Sequence, residues 1–196
     1  MHAHRGAELS VEEIVAVLAG GDERPLSAGQ PVTQLDHALQ TAALLYRDEP
    51  DDVELAVAGL VHDLGQLLAG ARDETHAADG AAAVQAALGE RVAGIVALHV
   101  EAKRYLVGID SNYEATLGGD SVLSLGRQGG ALTSSEAAEF LALPWASDAV
   151  TLRLADDRGK VEELGVDGLD HWVPLLQQLS ENQAGVRRPR RDDRGD

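Results

Sequence analysis

The sequence has no cysteine, and in 196 residues only one phenylalanine, three tyrosines and two tryptophans. Without thiols it can hold neither a disulfide framework nor a thiolate zinc site, so any metal falls to imidazole and carboxylate, and the composition is that expected of a cytoplasmic protein. With aromatics at 3% and few β-branched runs, little is left from which to build strands; the abundant Ala, Leu, Val and Glu favour helix, and the expected fold class is all-α. Basic residues are also scarce, 16 Lys+Arg against 33 Asp+Glu for a net charge of -17. That balance argues against a surface that neutralises nucleic-acid phosphates or lies on anionic lipid, so neither nucleic acid nor membrane is an expected partner. No apolar run approaches the length that crosses a bilayer, and no signal-type apolar block follows Met1-His2-Ala3-His4-Arg5.

The length suits one domain with a substantial core. Residues 1–9 and 183–196 offer no apolar face, which predicts a flexible N-terminus, a domain over 10–182 and a charged tail containing Arg187, Arg188, Pro189, Arg190 and Arg191. Within the domain, a Ser or Thr followed three residues later by an acid marks helix starts at Ser10/Glu13, Ser111/Glu114 and Thr133/Glu136. Thr33 opens a helix through about Tyr46, and Pro50-Asp51-Asp52 opens another with Val53, Ala56, Val57, Leu60 and Val61 on one face. Thr75 is expected to cap an Ala-rich helix, Gly89-Glu90 leads into one reaching Lys103, and 148–158 and 168–179 also read as helical. His171 falls in that last segment, among Trp172, Val173, Leu175, Leu176 and Leu179, and reads as structural. Gly118-Gly119 and Gly129-Gly130 punctuate an irregular stretch suited to closing over a site.

The chemistry begins at His62-Asp63, embedded in the apolar run Ala58-Gly59-Leu60-Val61 and Leu64-Gly65. An ionisable pair in a core-facing stretch costs several kcal/mol to bury unless it is paired or ligates a metal. His37, His76, His99 and Asp156 each lie beside an apolar helical face in a different segment. One such residue alone would more often be a satisfied core group. Imidazoles and carboxylates converging from several helices are hard to explain without a cation, and they suit two first-row metals such as iron or manganese, with Asp63 as the bridge.

The order His, His-Asp, His, His, Asp resembles the HD-domain superfamily over about residues 26–160. Around it, His99-Val-Glu-Ala-Lys103-Arg104-Tyr105-Leu106, Tyr113-Glu-Ala-Thr-Leu117, Ser121-Val-Leu-Ser124-Leu125, Gln128-Gly129-Gly130 and Leu152-Arg153-Leu154-Ala155-Asp156-Asp157 resemble the mixed-valent diiron oxygenases of that superfamily, which cleave the carbon–phosphorus bond of 1-hydroxyphosphonates. The resemblance implies a compact HD-domain helical bundle and two irons, one held by His37, His62, Asp63 and Asp156 and the other by Asp63, His76 and His99. It also implies a phosphonate pocket from Lys103, Ser121, Ser124, Gln128 and Arg153, with catalysis involving Asp63, Lys103 and Gln66. O2 would be the co-substrate, and the products phosphate and a carboxylic acid. The chain departs from the family at Gln66, where the member acting on 2-amino-1-hydroxyethylphosphonate has a further His, and at Ser27 and Gln30, where it has a Tyr and a Glu. A neutral amide neither moves a proton as His does nor attracts an ammonium as a carboxylate does, so these positions bear on the substrate's C2 substituent. A metal-dependent HD phosphohydrolase acting on a nucleotide or phosphate ester is the alternative, and a non-catalytic small-molecule sensor a further one. Residue pattern leaves the oligomeric state open.

Overall fold

A computed structural model describes residues 8–187; the preceding residues and the Arg-rich segment after 187 lie outside the described residues, and with them His2, His4 and most of the expected tail. Among the described residues the fold is all-α, with no strand beyond an isolated bridge between Pro25 and Thr33. Helix α3 (Val53–Val61) explains the architecture best: every residue from Leu55 to Val61 is buried. A helix that is apolar all round must sit at the centre of a bundle. Helices α2 (Gln34–Asp48), α6 (Glu90–Ile109) and α9 (Ala146–Arg158) pack around it, with α5 (His76–Leu88) laid along α6. Helices α1 (Val11–Ala19) and α10 (Leu169–Arg187) close one side, and Ile14, Leu18, Trp172 and Leu176 join the main core. Leu9, at the edge of the segment expected to be flexible, is tied to the Ala83 carbonyl by its amide at 2.9 Å and packs on that core.

Local capping chemistry sets the helix starts that matter for the site. Ser10, Thr33 and Thr133 form reciprocal capping boxes with Glu13, Asp36 and Glu136, starting α1, α2 and α8 (Ser134–Leu141). Two expected caps are corrected. Ser111 starts no α-helix: 110–117 is a turn with one 3-10 segment, because the Asp110 carboxylate takes the Asn112 amide. Thr75 precedes α5, but its hydroxyl donates to Asp79 Oδ2 at 2.7 Å and caps no backbone amide. The stretch expected to be irregular contains helix α7 (Gly119–Arg127), which starts at the second glycine of the first pair and ends before the second pair. His171 packs edge-on against Tyr46 and Trp172, away from the chemistry described next.

Candidate metal centre

The apolar run of α3 stops at Val61, and the helix breaks at His62-Asp63 before resuming as the single turn α4 (Leu64–Leu67). The break turns the two side chains of adjacent residues into one space. His37 reaches it from α2, His76 from the first residue of α5, His99 from α6 and Asp156 from α9. All four histidines and Asp156 are buried, whereas the Asp63 side chain remains 24% exposed toward a cavity. All six sequence-predicted ligands therefore meet in one place.

Their geometry falls into two halves about Asp63. Oδ2 of Asp63 lies 3.5 Å from His62 Nε2 and 3.9 Å from His37 Nε2, and Asp156 Oδ1 stands 3.2 Å from His37 Nε2. On the other side, Asp63 Oδ1 lies 3.4 Å from His76 Nε2 and 3.5 Å from His99 Nε2. One carboxylate thus presents one oxygen to each pair of imidazoles, as a bridging ligand does.

The outer nitrogens fix the tautomers. Nδ1 of His37, His62, His76 and His99 lies 2.7 Å from the carbonyl of Gly159, Gly59, Asp73 and Val96 respectively. A carbonyl only accepts, so each Nδ1 carries a proton and each ring turns its Nε2 inward. The Nε2 atoms of His37 and His62 are 3.2 Å apart, and those of His76 and His99 are 3.1 Å apart. Two such nitrogens repel unless a proton or a cation lies between them. Burial pushes His62 down to about 4 despite the nearby Asp63 and Asp156 charges, so at neutral pH the His62 ring itself is uncharged. Burial works against His76 as well, but hydrogen bonding to Asp63 outweighs it and raises its affinity for a proton. For Asp63, burial is outweighed by His62, His76 and His99, which hold the carboxyl well below its ordinary range. Nitrogen and oxygen donors, a bridging carboxylate and rings oriented by backbone carbonyls fit divalent or trivalent first-row metal ions.

A cavity of about 240 Å³ opens from this cluster. Lys103, Ser121, Ser124, Gln128 and Arg153, the expected phosphonate residues, all line it, as do Gln66, Ser27 and Gln30. Lys103 lies one turn beyond His99 and is 4% exposed, its ammonium donating to Ser124 Oγ at 2.7 Å. Burial, helped by the Arg153 charge, pulls this lysine down to about 8. Arg153, also 4% exposed, pairs with Asp156 and Asp157 on its own helix. Burial would raise the Asp156 carboxyl, but Arg153 and Lys160 hold it well below the usual range. Gln128 donates through Nε2 to the Asp73 carbonyl and carboxylate, leaving its buried Oε1 without a partner at the cavity wall.

The HD domain family matches residues 35–134, just over half of the chain. The chain belongs to the HD-domain family. Within it, the chain groups with phosphonate dioxygenases. It is 38% identical over 162 residues to hydroxymethylphosphonate dioxygenase of Gimesia maris, a match covering 78% of this chain and 80% of that protein. It is 30% identical over 174 residues to the glycine-betaine-forming 1-hydroxy-2-(trimethylamino)ethylphosphonate dioxygenase of Leisingera caerulea, covering 85% of this chain and 87% of that protein.

The HD-domain site contains residues that sequence reading missed. Lys160 lines the cavity and reaches Asp156 Oδ1 at 2.9 Å; its spacing four residues after a ligand was a usable signal. Gln40 clamps the backbone of Val161 through both ends of its amide, at 2.9 and 3.0 Å, which holds the Gly159 carbonyl under His37. Asp73 joins the His76 ring to Arg127 and Gln128. Periodicity cannot reveal the Gln40–Val161 and Asp73–Arg127 contacts, because those partners are far apart along the chain.

Proposed function

We propose that the chain is a non-haem diiron dioxygenase that oxidises C1 of a small 1-hydroxyphosphonate and breaks its carbon–phosphorus bond. The supporting observation is the divided cluster about Asp63: two pairs of inward-facing Nε2 atoms, each beside one oxygen of a shared carboxylate, next to a cavity walled by buried cations. On this reading His37, His62, Asp63 and Asp156 hold one iron, and Asp63, His76 and His99 the other. Iron there would supply O2 activation and the electron acceptor for C1. Overall, R–CH(OH)–PO3H2 and O2 give R–COOH and H3PO4: O2 takes up four electrons, C1 rises from alcohol to acid, and phosphorus leaves as phosphate.

The protein's own side chains do the binding and orienting. Lys103 and Arg153 meet the phosphonate oxygens, with the Ser121 and Ser124 hydroxyls fixing its rotation, while Gln128, its Nε2 held by Asp73, offers Oε1 to the substrate hydroxyl or to a protonated phosphonate oxygen. Buried in a strongly acidic chain, these cations form the local positive patch that a dianion requires. Beyond C1 the wall offers Ser27, Gln30 and Gln66, all uncharged; of the other carboxylates lining the cavity, Asp73 is already paired with Arg127 and Asp120 lies exposed on α7. A cationic C2 substituent finds no dedicated partner among those three, so the reading favours a substrate with a small neutral substituent or none, hydroxymethylphosphonate being the smallest. Gln66 can orient a hydroxyl but not act as a general base.

The test is an assay of iron-loaded protein against hydroxymethylphosphonate and its 2-amino-ethyl and 2-trimethylamino-ethyl analogues, with and without air. O2 uptake matched by phosphate release, greatest for hydroxymethylphosphonate, which carries no cationic substituent, is the expected result. Phosphate released from esters under strict anaerobiosis would instead identify a phosphohydrolase and sink the proposal.

A further inference from the structure

Arg153 is held from outside its own helix by a group to which the proposed reaction assigns no role. Tyr113 stands in the turn after α6, its ring buried with Val107, Leu117 and Leu125. Its hydroxyl accepts from Arg153 Nε at 3.2 Å and donates to Asp157 Oδ2. Nη2 of Arg153 goes to Asp157 Oδ1, and Nη1 to Asp156 Oδ2. A guanidinium has five N–H donors. Three are thereby engaged, leaving one on each terminal nitrogen, while the side chain lines the site cavity.

We infer that Tyr113, with Asp157, is a positioning residue that keeps the end of the Arg153 guanidinium facing the substrate anion. This rests on the proposed phosphonate pocket. The physical reason is competition for geometry. A carboxylate beside an arginine prefers the side-on fork, taking Nε and Nη2 together. Asp157 would swing the guanidinium into that fork if Nε were free, which turns the paired terminal N–H groups away from the cavity. The Tyr113 hydroxyl occupies both Nε and the second Asp157 oxygen, and so blocks the fork. Burial raises the phenol well above its ordinary range, so it stays a neutral hydroxyl that can donate and accept at once.

Tyr113→Phe keeps the ring and its contacts and removes only the hydroxyl. In the metal-loaded full chain, calorimetric titration with inorganic phosphate and with hydroxymethylphosphonate is expected to show binding weaker by about tenfold, the usual effect of one lost hydrogen bond to a charged group. Iron content and melting temperature should match those of the unaltered chain, and under turnover KM should rise more than kcat falls. In an Arg153→Lys background, which has no Nε, adding Tyr113→Phe should change phosphate affinity less than twofold, as expected if the hydroxyl acts through the guanidinium. Asp157→Asn, which weakens the pull toward the fork, is the second variant and should cost less than Tyr113→Phe; a larger cost would overturn the inference as well. Equal phosphate affinity for Tyr113→Phe and the unaltered chain, or the same loss in both backgrounds, overturns this inference while leaving the phosphonate pocket standing. Failure of the unaltered chain to bind either anion overturns both.

Discussion

Single side chains decide which ion the cavity accepts. Lys103 donates to Ser124 and lines the cavity wall, with its charge weakened by burial. Its proton affinity in the folded chain is below the ordinary lysine range, so the cation is present below about pH 8 and is lost as pH rises through that value. Affinity for inorganic phosphate, measured by calorimetry on metal-loaded protein, is therefore expected to fall above about pH 8. Lys103→Ala should weaken it by about 10- to 100-fold at neutral pH and abolish that alkaline fall, while iron stays bound. If the fall persists in the variant, another group carries it. Arg153 contributes no such pH dependence, because Asp156 and Asp157 outweigh its burial and raise its proton affinity further.

Helices matter here through where they end and how closely they approach. The backbones of α4 and α5 touch at Gly65: a methyl group there would lie 2.0 Å from the His76 carbonyl oxygen and 3.0 Å from the Gly80 amide nitrogen. Backbone cannot yield as a flexible side chain does, so Gly65→Ala must push the start of α5 away from Asp63 and carry His76 with it. The expected outcome is a destabilisation of about 1–3 kcal/mol or more, with iron stoichiometry falling at the His76/His99 half first. Metal analysis beside a thermal melt checks this; full iron occupancy in the variant would show that α4 and α5 can separate without moving the ligand. The capping boxes at Thr33 and Thr133 were readable because their partners lie three residues away. Helix α7 was obscured by the glycine pairs at its two ends, which read as loop, although Gly119–Arg127 is amphipathic and its Leu125 packs with Val107, Tyr113 and Leu117.

The chain taken together stores an electrostatic conflict at its centre. Paired Nε2 atoms face each other among α2, α3, α5 and α6, and a bound cation satisfies both members of a pair at once, so metal loading and folding stability are linked. With ferrous ion at roughly a hundredfold above its Kd, linkage adds about 2.7 kcal/mol and raises Tm by about 5–10 °C in a domain of this size. Chelator treatment should reverse the shift and added iron restore it. Asp63→Ala, lacking the shared carboxylate, should not respond; a full response in that variant would remove Asp63 from the bridging position. No helix among the described residues is long and apolar enough to cross a membrane.

The linear order of residues carried the all-α class, the main helix starts and the identities of His37, His62, Asp63, His76, His99 and Asp156. Those signals are short-range: a cap, an apolar face, a polar residue set beside it. Which oxygen of Asp63 faces which imidazole, how Gln40 seats the Gly159 carbonyl under His37, and how Tyr113 grips Arg153 from 40 residues away were decided by packing. Helical periodicity records only which way a side chain faces within its own helix, whereas these contacts depend on the angle and depth at which separate helices meet.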